Sequence, residues 1–94
     1  MADDFPKHVP LIHLNGTSFE SLTDSLEKLY GSLQAARDRI RECRPNGRDY
    51  YPFPDAATRL EAASERVGGW ERAIDKILAE IEEDVGHIWR RRDG

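Results

Sequence analysis

Residues 19–43 read FESLTDSLEKLYGSLQAARDRIREC, and the spacing of their apolar side chains decides the fold class. Phe19, Leu22, Leu26, Leu29, Leu33, Ala36, Ile40 and Cys43 follow one another at alternating intervals of three and four. That is the a/d stripe of a heptad, which an α-helix turns into a continuous seam. Thr17 and Glu20 stand in capping-box spacing at its start, and Pro45-Asn46-Gly47 supply breakers after it. The spacing predicts a helix over 18–43.

Toward the C-terminus the pattern returns. Leu60, Ala63, Val67, Trp70, Ile74, Ile77 and Ile81 repeat the same alternation, with Asp55 placed to cap a second helix over 56–90. Asp84 takes the next seam position and the apolar residues move to Val85 and Ile88, a slip that reads as a stutter. Gly68-Gly69 is the weak point, at about 1 kcal/mol per Gly relative to Ala. The pair reads as a kink or, more in keeping with the neighbouring Trp70, as a close approach of another backbone. Toward the N-terminus, Pro6 and Pro10 preclude a continuous helix in residues 1–16. Those residues are expected to form an extended arm, with Val9 to Leu14 docked on this chain or a neighbour.

The expected fold is therefore all-α: an antiparallel, coiled-coil-like two-helix hairpin over 17–94, with an irregular connector at 44–54. Its seam is expected to run through Leu22, Leu26, Leu29, Leu33, Val67, Trp70, Ile74, Ile77 and Ile81. Tyr30, Ala35, Leu78 and Trp89 lie off that line, so each stripe is wider than a two-stranded contact requires. Assembly into a helical-bundle homo-oligomer is the expected remedy. An Asp at position 29 or 74 would then abolish folding or assembly.

Composition narrows the function classes. The chain has 94 residues, with 14 Lys and Arg against 18 Asp and Glu for a net charge of −4. Its mean hydropathy is −0.72. No stretch approaches the ~20 apolar residues that span a bilayer, and the first residues lack the basic-then-apolar run of a secretory signal. One Cys, at 43, permits no intrachain disulfide and suits a reducing compartment. His8, His13 and His87 show no ligand spacing, and there is no Ser-His-Asp arrangement, phosphate loop or H-E-x-x-H. Neither enzyme activity, a metal nor a cofactor is expected. Duplex DNA ranks last among partners, because a negative chain lacks the broad basic face that phosphate neutralisation needs.

Local charge is more informative than the total. Residues 37–48 carry Arg37, Arg39, Arg41, Arg44 and Arg48 for a local net of +3, and residues 75–84 carry a net of −4. Residues 90–94 end on Arg90, Arg91 and Arg92. Cations at a helix end suit its dipole and need no ligand. Arg48-Asp49-Tyr50-Tyr51-Pro52-Phe53-Pro54, however, follows the cluster at once. Rings that stack on a base, a guanidinium fork for phosphate and a carboxylate for a ribose hydroxyl make a nucleotide-binding set. The same rings equally suit capping of the open end of a helical bundle. A second candidate is Asn15-Gly16-Thr17, where free N–H groups at a helix start can hold an anion. A hairpin brings that end near His87, Trp89 and Arg90 to Arg92. The ligand-binding candidates are thus Asn15, Gly16, Thr17, Arg44, Arg48, Asp49, Tyr50 and Tyr51.

The segments Ile12-His13-Leu14-Asn15-Gly16-Thr17-Ser18 and Pro45-Asn46-Gly47-Arg48-Asp49-Tyr50-Tyr51-Pro52 resemble those of a group of small uncharacterised bacteriophage and prophage proteins. The resemblance covers most of the chain and implies a phage origin and the host bacterial cytoplasm as setting. It implies no catalytic residue. Small oligomeric helical phage proteins include sponges for the nucleotide signals of bacterial immunity. By that analogy the leading expectation is an anti-defence sponge that sequesters an anionic, nucleotide-like ligand at loop and helix-end sites. In it Arg48 pairs phosphate, Tyr50 or Tyr51 stacks a base and Asp49 accepts from ribose or base. The alternatives are an anti-CRISPR-type or related inhibitor that binds a host defence protein directly, through the Arg-rich loop or residues 80–84, and a virion structural or assembly adaptor.

Overall fold

The computed structural model describes residues 4–93; Met1 to Asp3 of the expected arm, and Gly94, lie outside the described residues. Two helices, α1 (Phe19–Glu42) and α2 (Ala56–Asp93), are joined by a connector that contains one 3-10 turn, Gly47–Asp49. They run antiparallel, as the pairs Phe19–Trp89, Tyr30–Glu82, Arg37–Asp75 and Arg44–Glu71 show. The result is a rod of 64 × 25 × 17 Å. Its radius of gyration is 20.1 Å, against about 12 Å for a compact domain of this length.

Local chemistry sets the helix bounds within a few residues of those expected. Ser18, one residue after Thr17, is the N-cap of α1: its Oγ accepts from the Ser21 N–H at 3.1 Å, in place of the Thr17–Glu20 box. At the other end the Cys43 N–H closes onto the Ile40 carbonyl at 2.9 Å, so α1 covers 19–42 rather than 18–43. Helix α2 runs three residues beyond the expected 90, and Arg90, Arg91 and Arg92 fill its last turn. Cations there suit the negative end of the helix dipole. Arg92 also lies over the Phe19 ring, 4.4 Å from its centroid. Helix α2 runs unbroken through Gly68 and Gly69, and no backbone of another element of this chain comes close to them. The nearest group to a Cβ built at either is the Arg72 guanidinium, one turn on.

The seam itself differs from the a/d line. The covered row of α1 is Phe19, Thr23, Leu26, Tyr30, Leu33, Arg37 and Ile40; that of α2 is Val67, Glu71, Ile74, Leu78, Ile81, Val85 and Ile88. Both rows keep the alternation of four and three but use heptad positions a and e. Val85 and Ile88 continue this row without a slip, so no stutter is needed. Ile88, at 3% exposure, is the most buried of the core residues. The expected d positions fall on the opposite flank: Leu29 is 47% exposed, Trp70 45% and Ile77 42%. The two long e-row groups Tyr30 and Arg37 win the inner flank because each finds a carboxylate across the seam, Glu82 and Asp75. Thr23 is buried without cost, since its hydroxyl donates to the Phe19 carbonyl at 3.0 Å.

At one end the d flank is closed by the arm, which packs on its own chain. Val9 is buried, with its N–H bonded to the Pro6 carbonyl at 3.1 Å. His8 Nε2 lies 2.7 Å from Asp84 Oδ1, and the Phe5 ring stands edge-on to His87. Asp84 is thus the docking point of the arm. Docking relies on Phe5, His8 and Val9; Leu11 and Leu14, within the stretch expected to dock, are exposed.

The two flanks predict different costs. Ile88→Ala empties a closed position and should cost about 2–4 kcal/mol in urea denaturation. Ile74→Asp places a carboxylate in the shared row and should unfold the hairpin, whereas Leu29→Asp should keep the helical far-UV dichroism of the native chain.

Candidate functional site

The connector is a relay of turns braced by Pro45, Pro52 and Pro54. Asn46 opens it: its side-chain oxygen accepts from the Arg48 N–H at 3.0 Å and so caps the 3-10 turn. The Tyr50 and Tyr51 N–H groups both donate to the Gly47 carbonyl, and Phe53 N–H donates to Tyr50 at 3.0 Å. This wound path places Tyr50 half-buried and leaves Tyr51 76% exposed at the tip. Phe53 lies under the guanidinium of Arg59, 4.2 Å from the ring centroid. Arg59 Nε in turn donates to Asp55 Oδ1 at 2.7 Å, and this partner holds the Asp55 carboxyl below its ordinary value. Asp55 therefore orients the cation that stacks on Phe53. Sequence reading passed over this trio; the i,i+4 spacing of Asp55 and Arg59 was the available signal.

The arginine cluster is largely satisfied within the chain. Arg37 Nε donates to Asp75 at 2.7 Å, and that contact raises the Arg37 pKa. Arg44 reaches Glu71 at 3.4 Å, Arg39 reaches Glu42 at 3.3 Å and Arg41 lies 3.9 Å from Asp38. The acidic stretch is engaged as well, with Glu82 accepting from Tyr30, Asp84 on His8 and Glu83 3.5 Å from His87. Among the described residues only Arg37–Asp75 joins the +3 segment to the −4 segment. Of the five clustered arginines, Arg48 alone has no carboxylate partner among the described residues. The nearest described groove lies behind the connector and is lined by Arg44, Pro45, Ser64, Val67, Gly68 and Glu71; Arg48, Tyr50 and Tyr51 stand outside it.

The remaining candidates lie at the opposite end of the rod. Asn15, Gly16 and Thr17 are exposed, and the His13 ring covers the turn so closely that a Cβ on Gly16 would meet Nε2 at 2.6 Å. Behind this turn Phe19 and Trp89 pack edge to face at 4.6 Å, with Arg92 over both rings. Arg90 donates to His87 Nδ1. The structure therefore gathers Arg44, Arg48, Asp49, Tyr50 and Tyr51 at one end and Asn15, Gly16 and Thr17 at the other. Helix α1, 24 residues or about 36 Å long, separates them, so one chain cannot bring both sets to a single ligand.

Among the described residues no group of His, Cys, Asp and Glu is placed to hold a metal ion, and no helix is long and apolar enough to cross a membrane. No family model matches the chain, and neither a curated protein nor a solved structure does.

The Tyr30–Glu82 contact is testable by titration. The phenol donates to the carboxylate, which favours its protonated form and raises the Tyr30 pKa above 10.0. Its stabilising effect is present below the ordinary phenol pKa and is lost as pH rises through the folded one. Ultraviolet titration should show one tyrosine ionising late; Tyr30→Phe should remove that step, and Glu82→Gln should bring it earlier.

Proposed function

We propose that the chain is a binding protein that works as a homo-oligomer of hairpins and contacts a host protein through its connector, in the manner of a direct anti-defence inhibitor. The observation that carries this reading is the connector tip, where unpaired Arg48 stands with 76%-exposed Tyr51 on a proline-braced turn. Tyr and Arg are the side chains that dominate protein interfaces when they anchor in a partner's pocket. The turn bonds around Gly47 pre-set the loop, so that little ordering entropy remains to be lost on binding. The tip projects outward and does not line the groove behind it, a shape that suits insertion into a partner. The phage setting of this reading comes from the resemblance of the two loop segments.

A second reading, the nucleotide sponge, is favoured by the same unpaired guanidinium beside two phenol rings and the Asp49 carboxylate. In this form Arg48 takes phosphate, Tyr51 stacks a base, and a neighbouring subunit supplies the wall that closes the site. Arg44 contributes less, because Glu71 already holds it.

The experiment compares wild type, Arg48→Ala and Tyr51→Ala in pull-downs from host lysate, alongside native mass spectrometry with linear and cyclic nucleotides. A protein retained by wild type and weakened about tenfold or more in both variants is expected. Stoichiometric nucleotide masses lost in both variants would establish the sponge instead. If both variants retained every partner and ligand of the wild type, the connector would have no part in binding.

A further inference from the structure

The flank of the hairpin opposite the e rows carries Leu29, Ser32 and Ala36 on α1 beside Trp70, Ala73 and Ile77 on α2. In an antiparallel pair, equal heptad positions lie on the same side of both helices, so the two rows form one face. Two of its d positions, Leu22 and Asp84, are half-buried beneath the arm. Beyond the arm Leu29, Trp70 and Ile77 are each more than two-fifths exposed.

Area and charge both bear on what covers this face. The chain has 7282 Å² of accessible surface, against about 5,500 Å² for a compact monomer of its mass. The difference, roughly 1,700 Å², exceeds the roughly 800 Å² that each partner buries in a standard interface. Arg66 and Glu80 border the face seven residues to either side of Ala73. Both are exposed, and neither has an ion-pair partner among the described residues.

We propose that a second copy of this chain covers this face in the antiparallel sense, about a two-fold axis level with Ala73. The proposal rests on the homo-oligomeric reading above and names its surface. About that axis Arg66 of each chain comes level with Glu80 of the other, giving two such pairs along the α2 side. Ile77 of one copy lies over Trp70 of the other. Ala73 at the centre is small enough for the two α2 helices to approach closely, and Gly69 leaves room for Ile77 of the second copy. The two arms lie at opposite ends of the pair. A parallel pairing instead sets Arg66 against Arg66 and Glu80 against Glu80, and forces the two arms together.

Sedimentation across a concentration series tests this. Wild type is expected at twice 10.8 kDa, with dissociation at least about tenfold easier in Ile77→Glu. Arg66→Glu should weaken association several-fold, and the double reversal Arg66→Glu/Glu80→Arg should restore it. A wild type that remains at the monomer mass throughout overturns both this proposal and the homo-oligomeric reading. An oligomer indifferent to Ile77→Glu overturns the face alone, and a double reversal without rescue overturns the antiparallel sense. Should Ile77→Glu lose its helical dichroism, Trp89→Phe leaves Trp70 as sole indole. Its emission should then shift to the blue in step with mass, and unchanged emission through association overturns the face.

Discussion

The structure depends on a shared row of a-position side chains: Phe19, Leu26, Leu33 and Ile40 of α1 against Val67, Ile74, Ile81 and Ile88 of α2. A helix that buries only a and one neighbour leaves the other neighbour of a free to meet something else. Here the e residues complete the contact within the chain, and the d residues form a second flank. The row is narrow and long, so a chain of this size makes a 64 Å rod instead of a rounded core. No side chain in it is closed to below 2% exposure. Each further covering element, first the arm and then any partner, therefore has apolar surface to gain.

The charges follow from the same choice of flank. Putting Tyr30 and Arg37 on the inner edge brings them to Glu82 and Asp75, and Arg44 to Glu71. Exposed pairs of this kind add little stability, with a median of about 0–1 kcal/mol each. Their stronger effect is on alignment, because these three contacts are made together in only one antiparallel register. The pairing also withdraws most of the arginine cluster from outside ligands and concentrates the unsatisfied chemistry at Arg48 and the tyrosines. A positive segment that looks like a binding patch is thus largely paired with carboxylates of its own chain.

The arm shows how a polar residue enters an apolar row without loss. Asp84 stands where the d flank meets Val9, and the His8 ring gives its carboxylate a partner at 2.7 Å. The exposure of Leu11 and Leu14 beside the burial of Val9 reflects the turn at Pro6–Val9, which aims one apolar side chain inward and lets the chain leave the surface again.

Two helices, the breakers after the first and the connector between them were legible in the sequence, because a three-four spacing and proline chemistry act within one turn of the chain. The width of the apolar stripe was legible too, in Leu78 and Tyr30. Which side of the a row would face inward was not, since d held Leu29, Trp70 and Ile77 while e held a mixture of apolar, aromatic and charged groups. Hydrophobicity alone favours d; the tertiary fold chose e, where Tyr30 and Arg37 find partners on the facing helix and Glu71 finds Arg44 just past the end of α1. In the same way the sequence placed arginines, tyrosines and the Asn15-Gly16-Thr17 turn among the binding candidates. Only the folded chain decided that α1 holds them at opposite ends and that most of the arginines are already paired, because distance and partner are properties of packing and not of spacing.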